Sequence, residues 1–334
     1  MAYPSPQFTT PAIGDNSQNA ATTAFVDSAL GYLNGRNYIV DGNFDNWIGT
    51  STSITSGANS TQAATMYTAI SGTGGAATIN RQPFVGNDPI GMTSPARYYY
   101  QHSQTTAGTG SPAIDQHIES VQTLQGRSAT FSCWIWCPSG TVGSPIVQFA
   151  QYFGSGGSPS ATVSNQKVTT WNITTTPQRF SIRLDFPSIG GKTTGTAGND
   201  YVDFALIFPN GVFTINTSQW QLEQCSPSAP ATGAPTAFDY RGVGPELARV
   251  QRYYQTQGFY QTLYGVSGNS MQNSVPLQPM RAIPACAFAG APGTSNVTSY
   301  SVAGLTQASA NLVIAPTANA LYAITGSFTA DARL

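Results

Sequence analysis

The chain has 334 residues, 13 of them Lys or Arg and 14 Asp or Glu, a charged fraction of 8% with a net charge of −1. An ordinary soluble domain is about 25% charged; with only Glu119, Glu223, Glu246, Lys167 and Lys192 as its Glu and Lys, this chain lacks the residues of long helices and coiled coils, and its near-neutral balance excludes a phosphate-tracking nucleic-acid binder. Hydrophobic residues at 40% and aromatics at 11% suffice for a packed core and exclude charge-solvated disorder.

Residues 1–36 read as a short anchor. Asp15, Asn16 and Ser17 can cap a helix over Ala20–Leu33, whose stripe is Ala21, Phe25, Ala29 and Leu33. One apolar stripe cannot hold a lone short helix in water, so it must pack on something else. MAYPSPQFTTPAIG has neither the basic nor the apolar region of a secretory signal, so synthesis in a cytoplasm is expected. No apolar run approaches the ~18 residues of a membrane span, and no membrane insertion is expected.

Residues 37–240 carry a β pattern. NYIVDGNF, ATINRQPF, ARYYYQHS, IESVQTL, SATFSCWIW and PIVQFAQYF are strand candidates separated by Gly/Pro/Ser/Asn punctuation. RFSIRLDF alternates cleanly, with Phe180, Ile182, Leu184 and Phe186 on one face, as in a half-buried antiparallel strand. YVDFALIF turns Val202, Phe204, Leu206 and Phe208 inward and Asp203 outward; its outer face is also mostly apolar, which predicts a central strand. VFTIN and QWQLEQ continue the series. Many short strands with such turns predict a mainly β fold, a jelly-roll β-sandwich.

SPSAPATGAPTAFDYRGVGP reads as an extended connector. A linker helix is predicted within 241–257, where Pro245 and Glu246 suit a first turn and Leu247, Val250 and Tyr254 share a stripe. Residues 258–334 then form a smaller C-terminal β tip domain, with about 75 residues a marginal core on its own. Cys133 and Cys137 sit four apart in FSCWIWCP; on a strand they are about 13 Å apart, beyond disulfide reach. Buried thiols are the expectation for the cysteines, with no metal spacing to His102 or His117.

Three stretches carry a family resemblance. TTPAIGDNSQNAATTAFVDSAL resembles the TP-x-GDNS-x-x-x-ATTAFV segment of bacteriophage tail fibres. The order NYIVDGNFDNW, IESVQTLQGRSATFSCWIW, TTTPQRFSIRLDF and WQLEQCSPSAPATGAPTAFDYRGVGPELARVQRYYQ is similar to the jelly-roll module of phage fibre and receptor-binding proteins, a fold like that of carbohydrate-binding modules. MRAIP and the terminal GSFTADARL resemble the tip domains that follow it. The resemblance implies a homotrimeric host-attachment protein on a virion, docked to other tail or spike proteins through the N-terminal segment and bound to a bacterial surface polysaccharide. The sequence departs from the usual module in carrying Cys133 where a large aromatic is common, and Trp136 and Cys137 where polar or small residues are common.

A sugar site would pair aromatic faces with convergent polar groups. Trp47, Tyr98, Tyr100, Trp134, Trp136, Tyr260 and Tyr264 are the candidate platforms; core or subunit packing is the competing role for each. Asp115, His117 and Glu119 would share one strand face as a candidate acid/base or metal cluster, and Asp200 and Asp203 form a second acidic pair. Asp41, Asn43 and Asp45 fit either calcium or an Asx-rich turn. No phosphate loop, GxSxG elbow or HExxH is present. The expectation is a non-enzymatic glycan binder without cofactor or metal; a structural virion collar, baseplate or head-decoration protein, or a polysaccharide depolymerase, are the alternatives.

Overall fold

The structure is a computed structural model describing residues 36–48, 53–54, 61–85, 92, 96–138 and 140–334. The predicted anchor helix at Ala20–Leu33 lies outside the described residues.

Twelve strands build a β-sandwich: β1 (Ser53–Ile54), β2 (Thr61–Ala64), β3 (Tyr67–Ile70), β4 (Ala76–Pro83), β5 (Tyr98–Thr106), β6 (Ala113–Glu119), β7 (Ser128–Trp136), β8 (Ile146–Tyr152), β9 (Val163–Val168), β10 (Gln178–Asp185), β11 (Tyr201–Ile207) and β12 (Phe213–Cys225). Sheet one runs β1-β4-β5-β12-β7-β10 and sheet two runs β2-β3-β6-β11-β8-β9, antiparallel throughout. From β5 to β8, and again from β9 to β12, successive strands alternate between the sheets, the crossing pattern of a jelly roll. As its alternation predicts, β11 is central, between β6 and β8.

The two inner faces meet in an aromatic core. VFTIN and QWQLEQ are not two strands but one, β12, with a bulge between Ser218 and Gln221 and Gln219 at a positive φ of 53°. The bulge directs Trp220 inward, fully buried and edge-on to Tyr67, Phe131, Phe44 and Phe204 at 5.3–6.2 Å. Its Nε1 donates to Thr217 Oγ1 at 2.7 Å, so the indole is buried without an orphaned donor. Cys133 and Cys137 are buried free thiols in this core, while Cys225 and Cys286 are half-buried and free.

The chain enters the sandwich through a stapled segment. Asn37 donates Nδ2 to Trp220 O and accepts from Ile39 N and Leu222 N on Oδ1. Gly42 crosses so close to β12 that a Cβ there would lie 2.2 Å from Trp220 O, which only glycine avoids. Asp41 closes the following turn, accepting from Asp45 N, Asn46 N and Asn46 Nδ2. Three N–H donors thus fill the carboxylate offered as a calcium ligand, and Asp45 pairs with Arg97; the segment is an Asx-organised turn.

Other departures from the sequence pattern have local causes. IESVQTL does not continue as strand: β6 ends at Glu119, and Ser120, at φ 68°, starts a turn tied down by Val121 N donating to Asp200 Oδ2. The predicted helix is α1 (Val243–Gln251), shorter than expected. Val250 is buried, but Tyr254 belongs to a strand, because its backbone enters a ladder opposite Asp331 while Ala332 N donates to Tyr253 O. Tertiary pairing overrides the helical spacing there.

The remaining strands are β13 (Tyr254–Gly265), β14 (Met271–Pro276), β15 (Ala285–Phe288), β16 (Gly293–Ser295), β17 (Val297–Ala303), β18 (Ser309–Pro316) and β19 (Ala320–Asp331). They form two small sheets, β13-β19-β15 with β16 on β19, and β14-β18-β17. Leu312 and Ile314 of one pack with Tyr322, Ile324 and Phe328 of the other in a second, smaller core. Glu119 ties this unit to the sandwich, accepting from Arg252 at 2.9 Å and from Tyr253 Oη at 3.0 Å.

Asn37→Ala should leave Trp220 O and Leu222 N buried without partners. A loss of about 2–3 kcal/mol in urea unfolding is expected, with the slope unchanged.

Candidate functional site

Burial of one face of β6, β8 and β11 forces the alternate residues onto the other. The ladder registers then set a grid on the outside of sheet two. One row is Gln166, Gln148, Ala205, Asp115 and Thr68, and the next brings Ala150, Asp203 and His117 into line. Tyr152, Tyr201 and Glu119 form the row beyond, and Ile146, Ile207, Ala113 and Ile70 the row on the opposite side. Gln166, Gln148, Ala205, Asp115 and Asp203, with the apolar row, line a shallow recess of about 340 Å³, and His117 and the tyrosine row lie beside it.

The recess and the row beside it combine the parts a sugar site needs. Tyr152 and Tyr201 are half-buried with ring centroids 4.7 Å apart, and Tyr201 stacks on His117 at 3.9 Å. Gln166 donates to Gln148 at 2.6 Å, and Gln148 bonds Asp203. Thr68 Oγ1 donates to Asp115 Oδ2 at 2.9 Å. Burial, reinforced by the facing Asp203 carboxylate, pushes Asp115 up to about 7. Burial also raises Asp203, against the opposing effect of His117.

Two of the three residues expected to cluster do so: Asp115 and His117 lie together. Glu119 shares their face but turns to Arg252 and Tyr253, and Asp203 takes its place. The acidic pair Asp200 and Asp203 is split, since Asp200 holds the turn at Val121.

Most of the aromatic candidates lie elsewhere. Tyr100 is fully buried, against Phe44, Trp47 and Tyr67, and is core rather than platform. Trp47 is half-buried on the same cluster. Trp134 and Trp136 face outward from sheet one yet are only 8% and 9% exposed. Trp136 is enclosed by Tyr99 and Phe84 at 5.1 and 6.1 Å, so neither indole offers a free face to a sugar. Part of that side of sheet one is crossed by the 226–245 connector, through Ser181 to Thr232 and Thr236 to Glu223. Tyr98 is half-buried with Arg81 over its ring at 4.2 Å. Tyr260 and Tyr264 alone among the candidates are open, 74% and 61% exposed on one face of β13. Tyr152, Tyr201, Gln148 and Gln166 are not among the sequence candidates. Their outward positions follow from the alternation of PIVQFAQYF and YVDFALIF, but the adjacency of β6, β11 and β8 does not.

No protein-family model matches the chain, and no curated protein sequence matches it. Solved structures resemble it at low identity. The enzymatically active domain of bacteriophage CBA120 tailspike protein 4 is 14% identical over 57% of this chain, with a TM-score of 0.34. The match spans 21% of that tailspike chain. A xylan-binding family 22 module from Paenibacillus barcinonensis is 9% identical over 55% of this chain and 94% of its own, with a TM-score of 0.31. A family 11 carbohydrate-binding module from Clostridium thermocellum, in complex with a mixed-linked tetrasaccharide, is 9% identical over 48% of this chain and 88% of its own, with a TM-score of 0.30. No residue role is transferred from them.

The raised Asp115 carboxyl makes a signed prediction. The folded state holds the Asp115 proton up to about 7, whereas an unfolded Asp releases it near 3.9. Stability from this group is therefore greatest in acid and is lost as pH rises from about 4 to about 7. Asp115→Asn keeps an acceptor for Thr68 and should gain on the order of 1–3 kcal/mol relative to the parent at pH 8 but little at pH 4. Thermal unfolding at the two pH values, in buffer free of divalent ions, checks it.

Proposed function

We propose that this chain is the host-attachment subunit of a bacteriophage fibre or spike, and that it holds bacterial surface polysaccharide in the sheet-two recess without cleaving it. The observation that carries the reading is the outer face of sheet two, where a recess of amide, carboxylate and apolar side chains has a tyrosine pair in the ladder row beyond it. Neutral amides bond sugar hydroxyls, tyrosine rings cover sugar C–H faces, and neither needs a charged ligand. The virion setting rests on the TTPAIGDNSQNAATTAFV segment, which would dock the protein to other tail or spike components. A homotrimer would present three weak sites together and raise their combined affinity through effective concentration.

A depolymerase is the second reading, favoured by an Asp115 carboxyl that keeps its proton to about 7 beside a second carboxylate. Chain length of the polysaccharide after incubation separates it from binding alone.

Isothermal titration against capsule and lipopolysaccharide preparations tests the main reading. Tyr201→Ala and Tyr152→Ala should each weaken binding about 3- to 10-fold, the range of one aromatic contact, and Tyr260→Ala should leave it unchanged. Binding untouched by both recess variants but lost in Tyr260→Ala would move the site to the C-terminal unit. No binding to any surface polysaccharide would leave a structural virion protein.

A further inference from the structure

At the edge of the recess, on the outside of sheet two, three potential metal-ligating groups converge. Asp115, His117 and Asp203 each bring one ligand atom within 4.8 Å of the others. His117 Nε2 lies 3.8 Å from Asp115 Oδ2 and 3.9 Å from Asp203 Oδ1. Both distances exceed hydrogen-bond range. Atoms ~2.1 Å from a shared metal stand ~3.4 Å apart at the tetrahedral angle, so the imidazole would draw in by a few tenths of an ångström, and the carboxylates by somewhat more, to close on one ion.

The imidazole is set for that role. His117 Nδ1 is 2.9 Å from the main-chain oxygen of Leu334, which can only accept. Nδ1 therefore carries a proton, and Nε2 is the ring nitrogen that faces the two carboxylates. A carbonyl acceptor behind a histidine is the outer support commonly found at metal-binding imidazoles.

A second observation is independent of the clustering. Asp115 is 7% exposed, and its Oδ1 has no hydrogen-bond partner; Asp203 Oδ1 is also buried and unpartnered. Among the described residues, neither carboxylate has a Lys or Arg within ion-pair distance, and each has only His117. Two carboxylates, each with an unpartnered buried oxygen, thus flank one imidazole with no Lys or Arg between them.

We infer that Asp115, His117 and Asp203 bind one divalent transition-metal ion, of the Zn²⁺ class, on the outside of sheet two beside the recess. One imidazole with two carboxylates is a mixed N/O donor set that suits zinc better than calcium or magnesium, which take oxygen alone. Three protein ligands leave a coordination position for water or a ligand oxygen. The assignment stands whether or not the recess takes polysaccharide, since it rests on the clustered donors and their unpartnered oxygens. It also departs from the sequence expectation of no metal.

The test is Zn²⁺ uptake by the full-length chain after chelator stripping and dialysis, read by competition with a chromophoric zinc chelator and by elemental analysis. One Zn²⁺ per chain is expected, with a dissociation constant at or below about 1 μM and a rise in the unfolding temperature on saturation. His117→Gln and Asp203→Asn should each weaken uptake at least 10-fold, while Asp200→Asn, outside the cluster, should bind as the parent does. Unfolding curves of the stripped variants confirm that they fold, and each variant serves if the other does not. Failure of the parent to take up stoichiometric zinc would overturn the assignment without any variant, as would parent-like uptake in both His117→Gln and Asp203→Asn. Loss of polysaccharide binding with zinc uptake intact would count against the proposed function and leave the metal site standing.

Discussion

The pleat of three neighbouring strands sets what this protein can display. β6, β8 and β11 each bury one face against the aromatic core, where Phe204 of β11 packs on Phe131 at 4.7 Å and on Trp220 at 6.2 Å. A one-residue slip in any of them would reverse its faces, put Asp115 or Asp203 into that core and expose Ile114 or Phe204. Core burial therefore fixes register, and register fixes the outer grid. The bulge in β12 supplies the indole that the inner faces close upon, so it supports the recess from the far side of the sandwich.

The scarcity of Lys and Glu acquires a structural meaning. Much of the buried polar inventory is neutral amide and hydroxyl: Gln116 clasps both backbone groups of Val40, Asn37 staples the entering segment to β12, and Gln255 joins Gln251 and Gln278. An amide can satisfy a donor and an acceptor at once without the desolvation cost of a buried charge. The few charges are concentrated at junctions, as where Glu119 receives Arg252, or in the sheet-two recess. Against so neutral a background, two adjacent carboxylates that share His117 and, among the described residues, pair with no Lys or Arg are conspicuous.

Much of the fold is legible in the sequence because alternation is a local signal. RFSIRLDF and YVDFALIF show their inner faces directly, and the sandwich class follows from many such runs. The hairpin of β2 and β3 and the edge strand β9 are not legible: TQAA and VSNQKV have little apolar content, and β9 is held mainly by pairing with β8. The site was half legible. Period-2 spacing placed Asp115 with His117, but it also placed Glu119 there, because spacing cannot tell that Arg252 draws Glu119 away. Asp203 comes from a strand 86 positions further on than His117, and that meeting depends on strand order. The tryptophans misled for a related reason: an outward position is not an exposed one when neighbouring rings enclose it.

Under the proposed function, the outside of sheet two is the ligand-bearing face. Hydrogen–deuterium exchange of the full chain, with and without a saturating polysaccharide, tests it most directly. Added protection confined to peptides spanning Ala113–Glu119, Ile146–Tyr152 and Tyr201–Ile207 is the predicted result. Protection that falls instead on Tyr254–Gly265 and Ala320–Asp331, with those three strands unchanged, would contradict it.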